Sequence, residues 1–200
     1  YVANLGKPGM QGSGSPSNVS SGTSRRADRG FTLIELIVTL SVLAILIALA
    51  VPSFTSLINA NRLTAQANEL VTSLQLGRSE AVRRNIRVVV CRSADGLSCT
   101  TATGQGDWIT FVDADANNTA VAADVIRVSA IKAPVQVSNA VAAVAFGADG
   151  LARTGAGLLA ADFTICLPTT NPAANVRTVS VVTGSQISTA SSDGGGACPP

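Results

Sequence analysis

The chain has 200 residues, room for one modest core with appendages, and 46% of its side chains are apolar against only 13% charged. It contains no histidine, which excludes His-based triads, His-ligated metals and the commonest general acid–base chemistry. The formal charge of +2 is uneven: Lys7, Arg25, Arg26 and Arg29 face only Asp28 before position 31, while ten basic and ten acidic residues cancel from Pro52 onward, leaving no electrostatic footprint for a polyanion.

Residues 1–24 are rich in Gly, Ser, Asn and Pro without hydrophobic periodicity, and are expected to be disordered. The sequence starts on Tyr1, and Met10 is its single methionine. A start at Met10 would leave residues 1–9 untranslated and make 10–30 the leader. Arg25, Arg26 and Arg29 then abut an apolar run, residues 31–51, whose one ionisable group is Glu35. Its 21 residues make a helix of about 31 Å, matching a hydrocarbon core of about 30 Å. The run is too long for a secretory signal peptide, and no small-residue A-x-A site follows it. The basic residues before it predict a cytoplasmic N-terminal end, with everything after Val51 outside.

Pro52 is expected to kink this helix rather than end it, because helical periodicity resumes at once. Ala60, Leu63, Ala67, Leu70, Leu74, Gly77 and Ala81 recur at alternating steps of three and four, forming one apolar stripe. Arg62, Gln66, Glu69, Ser73 and Arg84 fall largely off it. The stripe is read as packing against the protein's own sheet. The helix should end near Arg84 or Asn85, where Arg83 and Arg84 suit its C-terminal dipole. It thus divides into a membrane half, 31–52, and an amphipathic half, 53–85.

Beyond it, residues 86–92, 107–113, 125–130, 135–137, 141–146, 163–167 and 176–182 are short β-rich runs separated by Gly, Asp, Asn and Pro. Short connections imply antiparallel pairing. The expected class is α+β: a long N-terminal helix packed on antiparallel sheet, with residues 86–200 as a β-rich head. Cys91, Cys99, Cys166 and Cys198 form no C-x-x-C pair, which argues against zinc and thioredoxin-type sites. An even count after a membrane-crossing segment points to disulfides in an oxidising compartment. Of three connectivities the expected one is Cys91–Cys99, closing the polar loop 92–98, with Cys166–Cys198, tying back the tail at Gly194, Gly195 and Gly196.

Weaker signals compete with plainer readings. Asp113, Asp115 and Asn117, with Asp124 at the twelfth position, echo an EF-hand calcium loop. Asn118 stands where that loop needs glycine, Asp124 is shorter than the usual glutamate, and the flanks read as strands, so a hairpin turn is preferred. Arg78, Arg83, Arg84, Arg87 and Arg92 crowd the helix end and the next strand, either as a patch for anions or as a solvated face. Hydroxyls such as Ser79 or Thr64 lack the usual base, so no enzymatic activity, cofactor or small-molecule substrate is expected.

Gly30-Phe31-Thr32-Leu33-Ile34-Glu35-Leu36, following basic residues and opening an apolar helix, resembles the N-terminus of type IV pilins and pseudopilins. The resemblance implies that a prepilin peptidase cuts between Gly30 and Phe31 and methylates the new amine of Phe31. It also implies that Glu35 meets the N-terminal ammonium of a neighbouring subunit during assembly. The stretches 61–70 and 74–82, Val90-Cys91 with Asp95-Gly96 and Cys99, Trp108-Ile109, and Phe111-Val112-Asp113 resemble the GspH/FimT group of pseudopilins and minor pilins. That group implies a low-copy subunit that primes or caps a type IV pilus or the pseudopilus of type II secretion. Its partners would be other pilins or pseudopilins and the peptidase. It would sit in the bacterial inner membrane with the head periplasmic, before entering a periplasmic or surface filament. Some members bind DNA through a C-terminal Gly-Arg-x-Arg stretch. Here Gly184 matches, but Ser185 and Ile187 replace the arginines, so nucleic acid is disfavoured as a partner.

Overall fold

A computed structural model describes residues 30–101, 106–155 and 157–199. The expectations for the leader, including Arg25, Arg26, Arg29 and the start at Met10, lie outside the described residues. The chain divides after Val42 into two compact units.

In the first unit the helix α1 (Leu33–Arg84) begins. Thr32 caps it, its Oγ1 accepting from the Glu35 amide at 3.2 Å, which meets one of the helix's orphan donors. Every residue from Gly30 to Val42 is exposed.

In the second unit α1 continues through Pro52 as helix, although proline supplies no N–H for the Ala48 carbonyl. The large apolar side chains up to Ile58 are exposed. From Leu63 the helix buries Leu63, Gln66, Ala67, Leu70, Ser73, Leu74, Gly77 and Ala81, a spacing that makes one face. That face packs on two antiparallel sheets.

The larger sheet has six strands in the order β3-β2-β1-β5-β6-β7. These are β1 (Val88–Ser93), β2 (Asp107–Val112), β3 (Val125–Ala130), β5 (Ala143–Phe146), β6 (Ala152–Thr154) and β7 (Gly157–Leu158). The smaller sheet runs β10-β9-β8-β4, with β4 (Gln136–Asn139), β8 (Ala161–Cys166), β9 (Val176–Val182) and β10 (Gln186–Ser192). The main core gathers Leu63, Leu70 and Leu74 of α1 with Val88, Val90 and Phe146 of one sheet and Phe163, Ile165 and Val179 of the other. Trp108 meets Phe163 edge-on at 5.9 Å and 78°, joining β2 to β8. A second cluster, Val89, Cys91, Ile109, Phe111 and Ala120, covers the opposite face of β1. This is why residues 88–91 read as an unbroken apolar run: β1 is buried on both faces.

The antiparallel strands divide into two sheets, and Gln66 and Ser73, read as lying largely off the apolar stripe, are buried within it. β6, β7 and β10 carry no alternating apolar signal, because β6 and β7 are too short and β10 is an exposed, polar edge. β4 and β5 also start later than the apolar runs that announce them, since Val135 and Val141 pack as loop residues beside the core.

Candidate functional site

The residues singled out for processing, Gly30 and Phe31, lie just before the first turn of α1, which holds Glu35. Gly30 is exposed with nothing within 4 Å of the position a Cβ would take, so its backbone is open to a protease. Phe31 is 82% exposed. Glu35 lies in the first helical turn, where a carboxylate is favourable to the dipole, and no cation pairs with it among the described residues. Exposed Leu, Ile and Val follow on every side of the helix. By length and composition the helix suffices to cross a membrane.

Both cysteine pairs close within the head. Cys91 bonds Cys99 and Cys166 bonds Cys198, each with Cα atoms 5.5 Å apart, the ordinary span of a disulfide. Inside the first loop, Asp95 accepts from the Leu97 and Ser98 amides at 2.9 and 2.8 Å, and from the Ser98 and Ser93 hydroxyls. These donors hold its carboxyl well below the usual carboxylate range, the Ser98 hydroxyl foremost. The second bond is backed by Asn175, which is fully buried. Its amide donates to Leu167 O at 2.8 Å and Ala197 O at 3.1 Å and accepts from Gly194 N at 2.8 Å. Sequence reasoning missed Asn175, which carries no local signal beyond preceding a strand.

The five arginines do not form a patch. Arg83 and Arg84 both bind Glu80; their hydrogen bonds, Arg83 first, lower its pKa. Arg87 pairs with Asp113 at 3.0 Å, and Arg78 donates to Ser185 O at 3.4 Å. Arg92 is 1% exposed and donates to Val137 O at 3.0 Å, linking β1 to β4 across the two sheets. Burial lowers its pKa. The solvated-face reading therefore fails for Arg92, whose alternation with Val88 and Val90 could have revealed it.

The calcium echo is not assembled either. Asp113 is buried and committed: Oδ1 accepts from the Asn117 amide at 3.1 Å, and Oδ2 from the Asn118 amide at 3.2 Å and from Arg87. Asn117 bonds Asp115 and caps Thr119, while Asp124 sits in the separate 3-10 turn Ala122–Asp124. Among the described residues no three His, Cys, Asp or Glu side chains gather as metal ligands. This is turn chemistry.

Ser185 lies in the hairpin between β9 and β10, with a positive φ of 63°. It is 2% exposed, and its Oγ accepts from the Ala152 amide. The Ser185 side chain thus points into the protein.

A family model described as Type II transport protein GspH matches residues 66–185, and one described as Prokaryotic N-terminal methylation motif matches residues 25–51. The chain belongs to the GspH family. The first match runs from within α1 to just beyond β9, short of β10, and the second covers the apolar helix start and brackets Gly30, Phe31 and Glu35. Pilin-like protein PilA1 of Thermus thermophilus is 40% identical over 91 residues, 44% of this chain and 51% of that protein. The chain therefore spans about half the length of this curated relative. Two crystal forms of the type IV minor pilin FimU of Pseudomonas aeruginosa align with 64% of this chain and with 88% and 91% of their own. Their TM-scores are 0.47 and 0.46, at 21% and 20% identity. GspH-family chains are structural pilin-like subunits, not enzymes.

Proposed function

We propose that this GspH-family chain is a membrane-anchored minor pilin or pseudopilin that primes or caps a type IV pilus or the pseudopilus of type II secretion. A peptidase cuts it between Gly30 and Phe31 and methylates Phe31. The observation that carries the reading is the methylation-motif match over residues 25–51 together with the GspH match over residues 66–185 of the same chain. Removing the leader strips away Arg25, Arg26 and Arg29 and leaves a helix that begins at the bilayer boundary. Residues 31–52 then form the membrane and assembly half, with the head on the periplasmic side. Glu35 is tolerated because a carboxylate near a helix end costs less than the roughly 2.5–3.5 kcal/mol it costs at mid-bilayer. Pairing with a neighbouring subunit's N-terminal ammonium lowers that cost only in register, so the charge specifies assembly.

Intact mass and N-terminal sequencing of the membrane-extracted protein test the processing step. A mature chain starting at methylated Phe31 is expected, and one retaining Arg25 and Arg26 would overturn the proposal. Deleting the gene and scoring surface pili, protein secretion and DNA uptake in parallel identifies the machine served.

A further inference from the structure

Between α1 and the edge of the six-stranded sheet lies a groove of about 910 Å³. Its edge strand, β3, pairs with β2 on one side and with no other strand among the described residues. Backbone groups alternate in direction along a strand, and two contacts establish which ones face the groove. Ile131 N donates to Gly106 O, just before β2, at 3.2 Å, so Arg127, Ser129 and Ile131 turn their backbone groups toward β2. Ala130 O instead accepts from Gln66 Nε2 of α1 at 3.4 Å, so the N–H and C=O groups of Val128 and Ala130 turn toward the groove.

Two further features of the lining point to an occupant. Val128 is 52% exposed on an edge strand that holds no proline. Arg127 is neutralised by Glu69 at 2.7 Å, whereas Arg62 and Lys132 have no carboxylate partner among the described residues, so three cations against one anion leave the lining at +2.

We propose that this groove docks an extended, acidic segment of a neighbouring subunit. The segment adds as a strand to the outer edge of β3 and sets carboxylates against Arg62 and Lys132. Strand addition derives affinity from main-chain pairing and specificity from the flanking side chains. Nucleic acid would answer the two cations but not the row of strand donors and acceptors. The proposal rests on the filament-subunit reading only for the identity of the partner.

Photocrosslinking of the full chain in cells tests it. A benzophenone side chain in place of Val128 should yield one discrete, protease-sensitive adduct. The same probe in place of Val121, which is 60% exposed, should yield at least tenfold less. Combining Arg62→Glu with Lys132→Glu should lower the Val128 adduct at least tenfold in a chain that still melts cooperatively. With the probe moved to Ala130, Val128→Pro removes one outward N–H, spares the β2 ladder and should also abolish the adduct. No excess over the Val121 probe, an adduct indifferent to these variants, or one removed by nuclease would overturn the proposal. Retention of Arg25 and Arg26 on the crosslinked chain would count against the filament reading, while the adduct itself still decides the groove.

Discussion

Gly77 of α1 and Val90 of β1 stand so close that a Cβ on Gly77 would lie 2.6 Å from Val90 Cγ2. The helix reaches the sheet at this point only because one residue has no side chain. Gly77→Leu should therefore overpack the core and cost about 1–3 kcal/mol. Gly77→Ala should cost less, because alanine recovers up to about 1 kcal/mol of helix propensity against a milder clash. Urea melts of the detergent-extracted protein read both, and a leucine variant as stable as the parent would show that the contact is slack.

Asn175 and the Cys166–Cys198 bond hold the same tail by different means. Asn175→Ala leaves the Leu167 and Ala197 carbonyls and the Gly194 amide without their side-chain partner. A loss of about 1–3 kcal/mol is expected. Hydrogen exchange should quicken at Gly194 and its neighbours, not at β1. Unchanged exchange in the tail would mean that the disulfide alone positions it. Peptide mapping without reduction checks the connectivity, where a linked Cys91–Cys166 peptide would contradict both bonds.

How much of this was legible depends on what each residue faces. The stripe from Leu63 to Ala81 repeats every three to four residues because it meets a core along its whole length, so the periodicity announces the helix. β10 was invisible because an exposed edge imposes no alternation on Gln186–Ser192. Arg92 looked like a surface cation because charge is read before register; only its place two residues after Val90 betrays the inward face. The processing residues were legible for another reason. Gly30, Phe31 and Glu35 are exposed and pack against nothing in the fold, and so stand out against the apolar helix they open.

Acid should weaken the loop closed by Cys91 and Cys99. The folded-state pKa of Asp95 is depressed, below an unfolded value of about 3.9. Its contribution is therefore fully present above the unfolded value and is lost as pH falls through the folded one. Asp149, held down chiefly by Arg153 and then by the Leu151 amide, behaves alike. Asp95→Asn should be less stable than the parent at pH 7, with the gap narrowing on acidification below about pH 4. Urea midpoints at a series of pH values measure this. A constant gap down to the lowest pH would mean that the carboxylate's charge adds nothing beyond what an amide supplies.

Glu35 serves two possible ends, and one pair of substitutions separates them. The Thr32 cap on the Glu35 amide makes residue 35 the third helical position, where Glu or Gln favours a capping box. If that were its whole purpose, Glu35→Gln would behave as the parent and Glu35→Ala would lose a little helix at the first turn. If the carboxylate pairs with a neighbouring subunit's ammonium, glutamine fails as alanine does, because an amide supplies no charge to offset the cation in a low-dielectric setting. Both variants should insert and be cut after Gly30, since the change lies beyond the cleaved bond. Both should then fall at least tenfold in sheared filament fractions relative to the membrane pool, as quantified by immunoblot. Parent-like incorporation of Glu35→Gln would refute the pairing role and leave the cap as the explanation.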